Sequence, residues 1–170
     1  SDRNTVFNPT NHTCFNLAGH HRPQLAMEQI LMLPARSYTL CGMLGIPTGK
    51  MGSVNGTPLD FRTPKALRAD LRKLKSLDHN FEVFCDPCAL LTDPHSGRTM
   101  AVSTDCPGIQ VYTPNSNHHP GKDGVDYTGH YGVCLETQFY PDALHHPQWQ
   151  QPIVKAGFPC QRVTRYRFSW

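Results

Sequence analysis

The sequence predicts an all-β domain with one short helix, on three observations. Proline (15) and glycine (13) are frequent among 170 residues, while apolar residues reach only 38%. Such a mixture cuts a chain into many short elements joined by turns and does not build a helical bundle. Several short apolar segments alternate with polar residues at the two-residue period of a pleated strand, and only one stretch carries leucines at helical spacing.

In chain order, residues 27–33 (M-E-Q-I-L-M-L) are apolar enough for a buried strand. The helix is expected at about 64–75. There Thr63 can cap it, Pro64 suits the first helical position, and Leu67, Leu71 and Leu74 share a face. Lys73 and Lys75 lie near its C-terminal end, where cations are favoured, and Arg68, Asp70 and Arg72 form a solvated opposite face. The apolar run around Ala89, Leu90 and Leu91 is joined by the turn Pro94–Arg98 to residues 99–104, predicting a hairpin. Met100 and Val102 alternate with small polar residues there, as in a half-buried strand. Residues 108–113, 132–138 and 161–168 also read as strands. The last sets Arg162, Thr164, Tyr166 and Phe168 against Gln161, Val163, Arg165 and Arg167.

A chain of this length can bury the core of one domain, residues 1–170. Its net charge of +3 comes from interspersed lysines and arginines, not a stripe, which argues against nucleic acid as a partner. No apolar run approaches the 18 or so residues of a membrane span. Seven cysteines, an odd number, fit a reducing compartment and a cytoplasmic protein better than a disulfide framework. Cys85-Asp-Pro-Cys88 is a C-x-x-C, but it lacks a second pair at zinc-ribbon spacing and a surrounding βαβ pattern. Ordinary thiols at a strand–turn–strand boundary are expected. The adjacent pairs His20-His21, His118-His119 and His145-His146 are poor chelates if they lie on strands, so no metal is expected. Trp149 and Trp170 fall in a proline-rich loop and at the terminus, and neither marks a site.

Glu136 is the first candidate for chemistry. On a strand over 132–138 it shares a face with Gln138, while Leu135 and Thr137 face the other way. A solvent-facing strand carboxylate is the alternative. His12 lies between Asn11 and Thr13, whose polar groups can fix an imidazole in one tautomer, or it is simply a structural histidine. Asp78 can accept hydrogen bonds from the hydroxyls of a polyol, and Gln110 can accept or donate them. Asp78 can equally organise a turn, and Gln110 can be an ordinary strand amide.

Four segments in order change these odds: N-H-T-C-F-N-L-A-G at 11–19, T-P-L-D-F-R-T-P at 57–64, L-D-H-N-F at 77–81 and V-C-L-E-T-Q-F-Y-P-D-A at 133–143. Together with I-P-T-G-K-M at 46–51, they resemble the C-terminal half of the aldose 1-epimerase (galactose mutarotase) family. Cys14 stands where that family's motif usually carries tyrosine. The resemblance implies part of a large antiparallel β-sandwich with a broad sugar cleft. It implies Glu136 as general base, His12 as general acid, and Asp78 and Gln110 as ligands of sugar hydroxyls. The implied reaction interconverts α and β hexoses such as galactose and glucose, and requires no metal or organic cofactor. A hexose 6-phosphate substrate would call for an arginine cluster, and none stands out in the sequence.

The family domain is about twice this long, and its N-terminal half supplies an arginine and a second histidine near the sugar. A half-sandwich is expected to leave sheet edges and an apolar face uncovered, to be met by a second chain or a homo-oligomer. Two other readings therefore stand beside the epimerase: a sugar-binding module without turnover, and a protein-interaction fragment of the same fold.

Overall fold

The computed structural model describes residues 1–69, 71–74, 76–115 and 118–170, with the side chains of all but Leu71 and Arg72. Its strands in chain order are β1 (Thr5–Val6), β2 (Cys14–Phe15), β3 (Ile30–Met32), β4 (Ser37–Cys41), β5 (Pro47–Ser53), β6 (Lys65–Ala66), β7 (Asp78–Glu82) and β8 (Ala89–Thr92). There follow β9 (Thr99–Thr104), β10 (Gly108–Tyr112), β11 (His119–Pro120), β12 (Asp126–Tyr127), β13 (Val133–Gln138), β14 (Ile153–Val154) and β15 (Thr164–Ser169).

Among the described residues, one sheet has six strands in the order β2-β13-β10-β7-β4-β5, and a second has five in the order β15-β9-β8-β3-β6. The strand pairs are antiparallel. The sheets share one core, as alternation along each strand requires. Phe81, Ile109, Val111, Val133 and Leu135 come from the first sheet, and Leu31, Ala89, Leu91, Met100 and Val102 from the second. Polar links cross the same interface. The Tyr166 hydroxyl donates to the Leu135 carbonyl at 3.1 Å, and the Thr137 and Thr164 hydroxyls are 2.5 Å apart.

The predicted hairpin is present. β8 and β9 pair through a turn in which Asp93 donates its amide to Arg98, Gly97 donates to Asp93, and Gly97 takes the positive φ that favours glycine. Three predicted elements differ from expectation by more than one residue. Residues 27–33 do not form one strand: a 3-10 helix spans Pro23–Glu28, and only Ile30–Met32 pair. The fully buried Gln29 side chain makes that junction, accepting from the Leu17 amide at 2.8 Å and donating to the Ala26 carbonyl at 2.8 Å. The final strand begins at Thr164, not 161.

The helix at 64–75 is the largest correction. Among the described residues, Lys65–Ala66 is a strand against β3, Leu67–Ala69 is a 3-10 turn, and α1 spans Leu71–Leu74. The Leu67 amide donates to the Gln29 carbonyl, so sheet pairing holds the segment where a first helical turn was expected. Leu67 is buried as the leucine spacing predicts, while Asp70, Lys75 and the side chains of Leu71 and Arg72 lie outside the described residues.

The face of the six-stranded sheet turned away from the core carries polar side chains around β7, β10 and β13, among them Asp78, Gln110 and Glu136. Large exposed apolar side chains include Met43, Leu44 and Ile46 at the β4–β5 connection and the terminal Trp170. Cys85 and Cys88 lie between β7 and β8, as ordinary thiols would. Burial pushes the Cys85 thiol up and that of Cys88 up to about 12. Among the described residues, no helix is long and apolar enough to cross a membrane.

Candidate active site

Three adjacent interior strands build the site. β10 pairs with β13 on one side and β7 on the other, so Asn80, Gln110 and Glu136 form one cross-strand row. Asp78, Tyr112 and Cys134 form the next row, and directly opposed residues project to the same face. β2 extends this face, because Cys14 opposes Cys134, and delivers His12 from the segment just before it. The sequence-predicted residues Glu136, His12, Asp78 and Gln110 thus lie together on one face of one sheet.

Glu136 is held on an interior strand with its side chain only 7% exposed, not at a solvated edge. Burial raises its carboxyl above the ordinary range. The imidazole of His12 works against that rise, and the Asp78 carboxylate adds to it. The His12 Nε2 lies 3.4 Å from Glu136 Oε1, within ion-pairing distance. Its side chain is 62% exposed, so His12 stands at the solvent edge of the site and is not packed among amides. The Asn11 carboxamide serves the backbone, accepting from the Thr13 amide at 3.0 Å, while the imidazole rests edge-on against Tyr112 at 5.6 Å.

Gln110 donates through Nε2 to Asp78 Oδ1 at 2.7 Å, which fixes the carboxamide and leaves its oxygen facing the row. That oxygen, Gln110 Oε1, is buried without a partner, and so is Asn80 Nδ2. Gln138 Nε2 reaches the other end of Asn80, Oδ1, at 3.4 Å. Gly108 makes this corner possible, because a Cβ there would lie 2.8 Å from both Asn80 Oδ1 and Tyr140 Cδ1.

Asn80 and Tyr112 are residues that reasoning from sequence did not select. The signal was available: each stands two positions from a selected residue on the same strand, Asp78 or Gln110. Of the histidine pairs, His20 and His21 sit in a turn, with their Nε2 atoms 3.6 and 3.9 Å from Asp123 Oδ2. A second group of donors able to converge on one point comprises His12, Cys14 and Cys134.

A family model described as aldose 1-epimerase matches residues 1–167. The chain belongs to the aldose 1-epimerase family. It is 35% identical over 177 residues to a galactose mutarotase of Bos taurus, covering 99% of this chain and 52% of that protein. A galactose mutarotase of Homo sapiens is 36% identical over 173 residues, with 97% and 50% covered. An aldose 1-epimerase of Haemophilus influenzae is 35% identical, with 99% and 53% covered. Among solved structures, the GalM/aldose epimerase homologue from C. elegans superposes with a TM-score of 0.85 at 25% identity, over 98% of this chain and 52% of that one. The galactose 1-epimerase of Lactobacillus acidophilus NCFM gives 0.74 at 28% identity, over 99% and 50%. This epimerase-family chain therefore spans about half the length of the relatives it matches.

Proposed function

We propose that the chain is the C-terminal portion of a single mutarotase-like domain and serves the interconversion of α and β hexoses such as galactose and glucose. The observation that carries this reading is the buried Glu136 carboxylate, raised above its ordinary range, 3.4 Å from the His12 imidazole. Anomer interconversion opens the ring hemiacetal, turns C1 about the C1–C2 bond and closes the ring on the other face. Opening needs a base at the anomeric hydroxyl and an acid at the departing ring oxygen, and closing needs the reverse.

Glu136 takes the anomeric proton and His12 supplies a proton to the ring oxygen, each contributing about 10²–10⁴-fold. A carboxylate raised by burial is a stronger base than one in water, while the exposed His12 can exchange its proton with solvent between turnovers. The unpartnered Gln110 carbonyl oxygen and Asn80 amide offer a sugar one acceptor and one donor, and Asp78 offers a charged acceptor beside them. We place the protein in the cytoplasm, in keeping with its seven free cysteines. The rest of the sugar's surroundings would come from the N-terminal portion of that domain, from a second chain or from a homo-oligomer.

Mutarotation of fresh α-D-galactose, followed by polarimetry with this chain and with Glu136→Gln, tests the reading. Acceleration by the chain that falls about 10²–10⁴-fold in the variant supports it. Saturable galactose binding with no acceleration would favour a sugar-binding module instead, a reading that the 62% exposure of His12 and the half-length match keep in view. Neither acceleration nor binding would leave a protein-interaction fragment.

A further inference from the structure

Cys14 and Cys134 are direct partners across the antiparallel β2–β13 pair. Their side chains therefore leave the sheet on one face, with His12 two residues before the first and Glu136 two residues after the second. Opposed Cα atoms in such a pair lie about 4.5–5.5 Å apart, inside the roughly 4.4–6.8 Å window that a disulfide tolerates. The two sulfurs are 2.8 Å apart, so a bond of about 2.05 Å needs less than an ångström of movement.

The two thiols differ in setting. Cys134 is fully buried, while Cys14 is half-buried and lines a cavity of about 190 Å³ with Asn16, His20, Tyr127 and Tyr131. A hydrogen bond from the Cys134 thiol pulls the Cys14 thiol down to about 7, against its own burial, with further help from His12 and Tyr131. Cys134 moves the other way, raised by that same hydrogen bond and by burial. The opposite behaviour of Cys85 and Cys88, both pushed up by burial, supplies a comparison within the same chain.

We propose that Cys14 and Cys134 form a hydroperoxide-sensitive modification site, in which Cys14 is the nucleophile and Cys134 the resolving thiol. In the first step the Cys14 thiolate attacks one peroxide oxygen. An S–O bond forms, the O–O bond breaks, and the departing hydroxide takes up the proton that Cys14 has lost. Cys14 is oxidised by two electrons to the sulfenic acid and the peroxide is reduced to water. The Cys134 sulfur then attacks the Cys14 sulfur, forming the S–S bond and breaking S–O. Hydroxide leaves and becomes water with the proton of Cys134. The balance is two thiols and one hydrogen peroxide giving one disulfide and two waters, and a dithiol reductant restores both thiols by exchange, itself becoming a disulfide. The link ties the strand that delivers His12 to the strand that holds Glu136, so it acts on the relative position of those two groups. The modification itself rests on thiol geometry and not on the proposed sugar chemistry.

The test treats the reduced 170-residue chain with graded hydrogen peroxide in the presence of a chelator, then maps cysteines by mass spectrometry without reduction. The expected result is a Cys14–Cys134 linked peptide lighter by two hydrogens, reversed by dithiothreitol, with Cys14 reacting at least about tenfold faster than Cys85. In Cys134→Ser, whose hydroxyl keeps a hydrogen-bond donor beside Cys14 and whose fold is checked by circular dichroism, Cys14 should instead accumulate as a sulfenic acid that dimedone traps. Linkage of Cys85 to Cys88 at lower peroxide than Cys14 to Cys134 would overturn the proposal. So would thiols that stay reduced throughout, or, in a parallel run with zinc and no chelator, one zinc ion held by His12, Cys14 and Cys134 that blocks oxidation. Because the readout is mass and not mutarotation, these outcomes do not depend on whether the chain turns over sugar.

Discussion

At the scale of single residues, Glu136 carries opposing demands. Its carboxyl is raised in the folded protein by burial, so the folded state holds that proton more tightly than the unfolded chain does. The resulting stability is fully present below the unfolded pKa, about 4.3, and is lost as pH rises through the higher folded value. Glu136→Gln should therefore be more stable than the parent at neutral pH, with the difference vanishing below about pH 4, as urea denaturation at the two pH values would record. The same electrostatics predict the effect of a neighbour. Because the Asp78 carboxylate pushes Glu136 up, Asp78→Asn should move the acid limb of the kcat/KM profile to lower pH, even while weakening sugar binding. An unmoved limb would mean that Glu136 is not the titrating base. These placements were partly legible in the sequence, because a period of two puts Glu136 with Gln138, and Asp78 with Asn80, on common faces. The exposure of His12 was not legible, since it lies before β2 in a segment whose course no periodicity dictates.

At the scale of elements, the β8–β9 hairpin shows how a turn read from sequence acquires its energetics. Asp93 is fully buried at its start, and its Oδ2 accepts from the Ser96 amide at 2.8 Å and the Ser96 hydroxyl at 2.5 Å. Burial alone would raise this carboxyl. The Ser96 hydroxyl and amide, with the His95 amide and ring, more than offset it and leave the group below its ordinary range. A depressed folded value means stability that is present above the unfolded pKa, about 3.9, and lost as pH falls through the folded one. Asp93→Ala should cost about 1–3 kcal/mol at neutral pH and less in acid, measured by urea denaturation. The proline, serine and glycine of 94–98 announced this turn, but nothing in the string announced that Asp93 would be buried. The misread helix has a related cause. Leu67, Leu71 and Leu74 fit a helical face, but Lys65 and Ala66 gain more from pairing with β3, and among the described residues Leu71–Leu74 are helical. Long-range pairing won over local spacing at that point. It won again at 27–33, where the Gln29 side chain takes backbone hydrogen bonds that a longer strand would have supplied.

At the scale of the whole molecule, the site stands on the back of the core. The strands that present Glu136, Gln110 and Asp78 outward present Leu135, Ile109, Val111 and Phe81 inward, against Leu31, Leu91 and Met100 of the other sheet. Each outward residue is positioned by buried neighbours in its own strand, so support for the site comes from packing on the opposite face. Apolar side chains at the β4–β5 connection have no such role, since Met43 and Leu44 meet solvent and not the core. This division predicts a contrast between two leucine truncations. Leu91→Ala removes a fully buried side chain and should cost about 2–5 kcal/mol, lowering the denaturation midpoint. Leu44→Ala removes an exposed one and should stay within about 0.5 kcal/mol of the parent. If Leu44→Ala proved as costly as Leu91→Ala, the β4–β5 connection would have to be covered in solution, and a second copy or a partner chain would be the cover. Sedimentation of the parent and the variant at several concentrations would then separate those two.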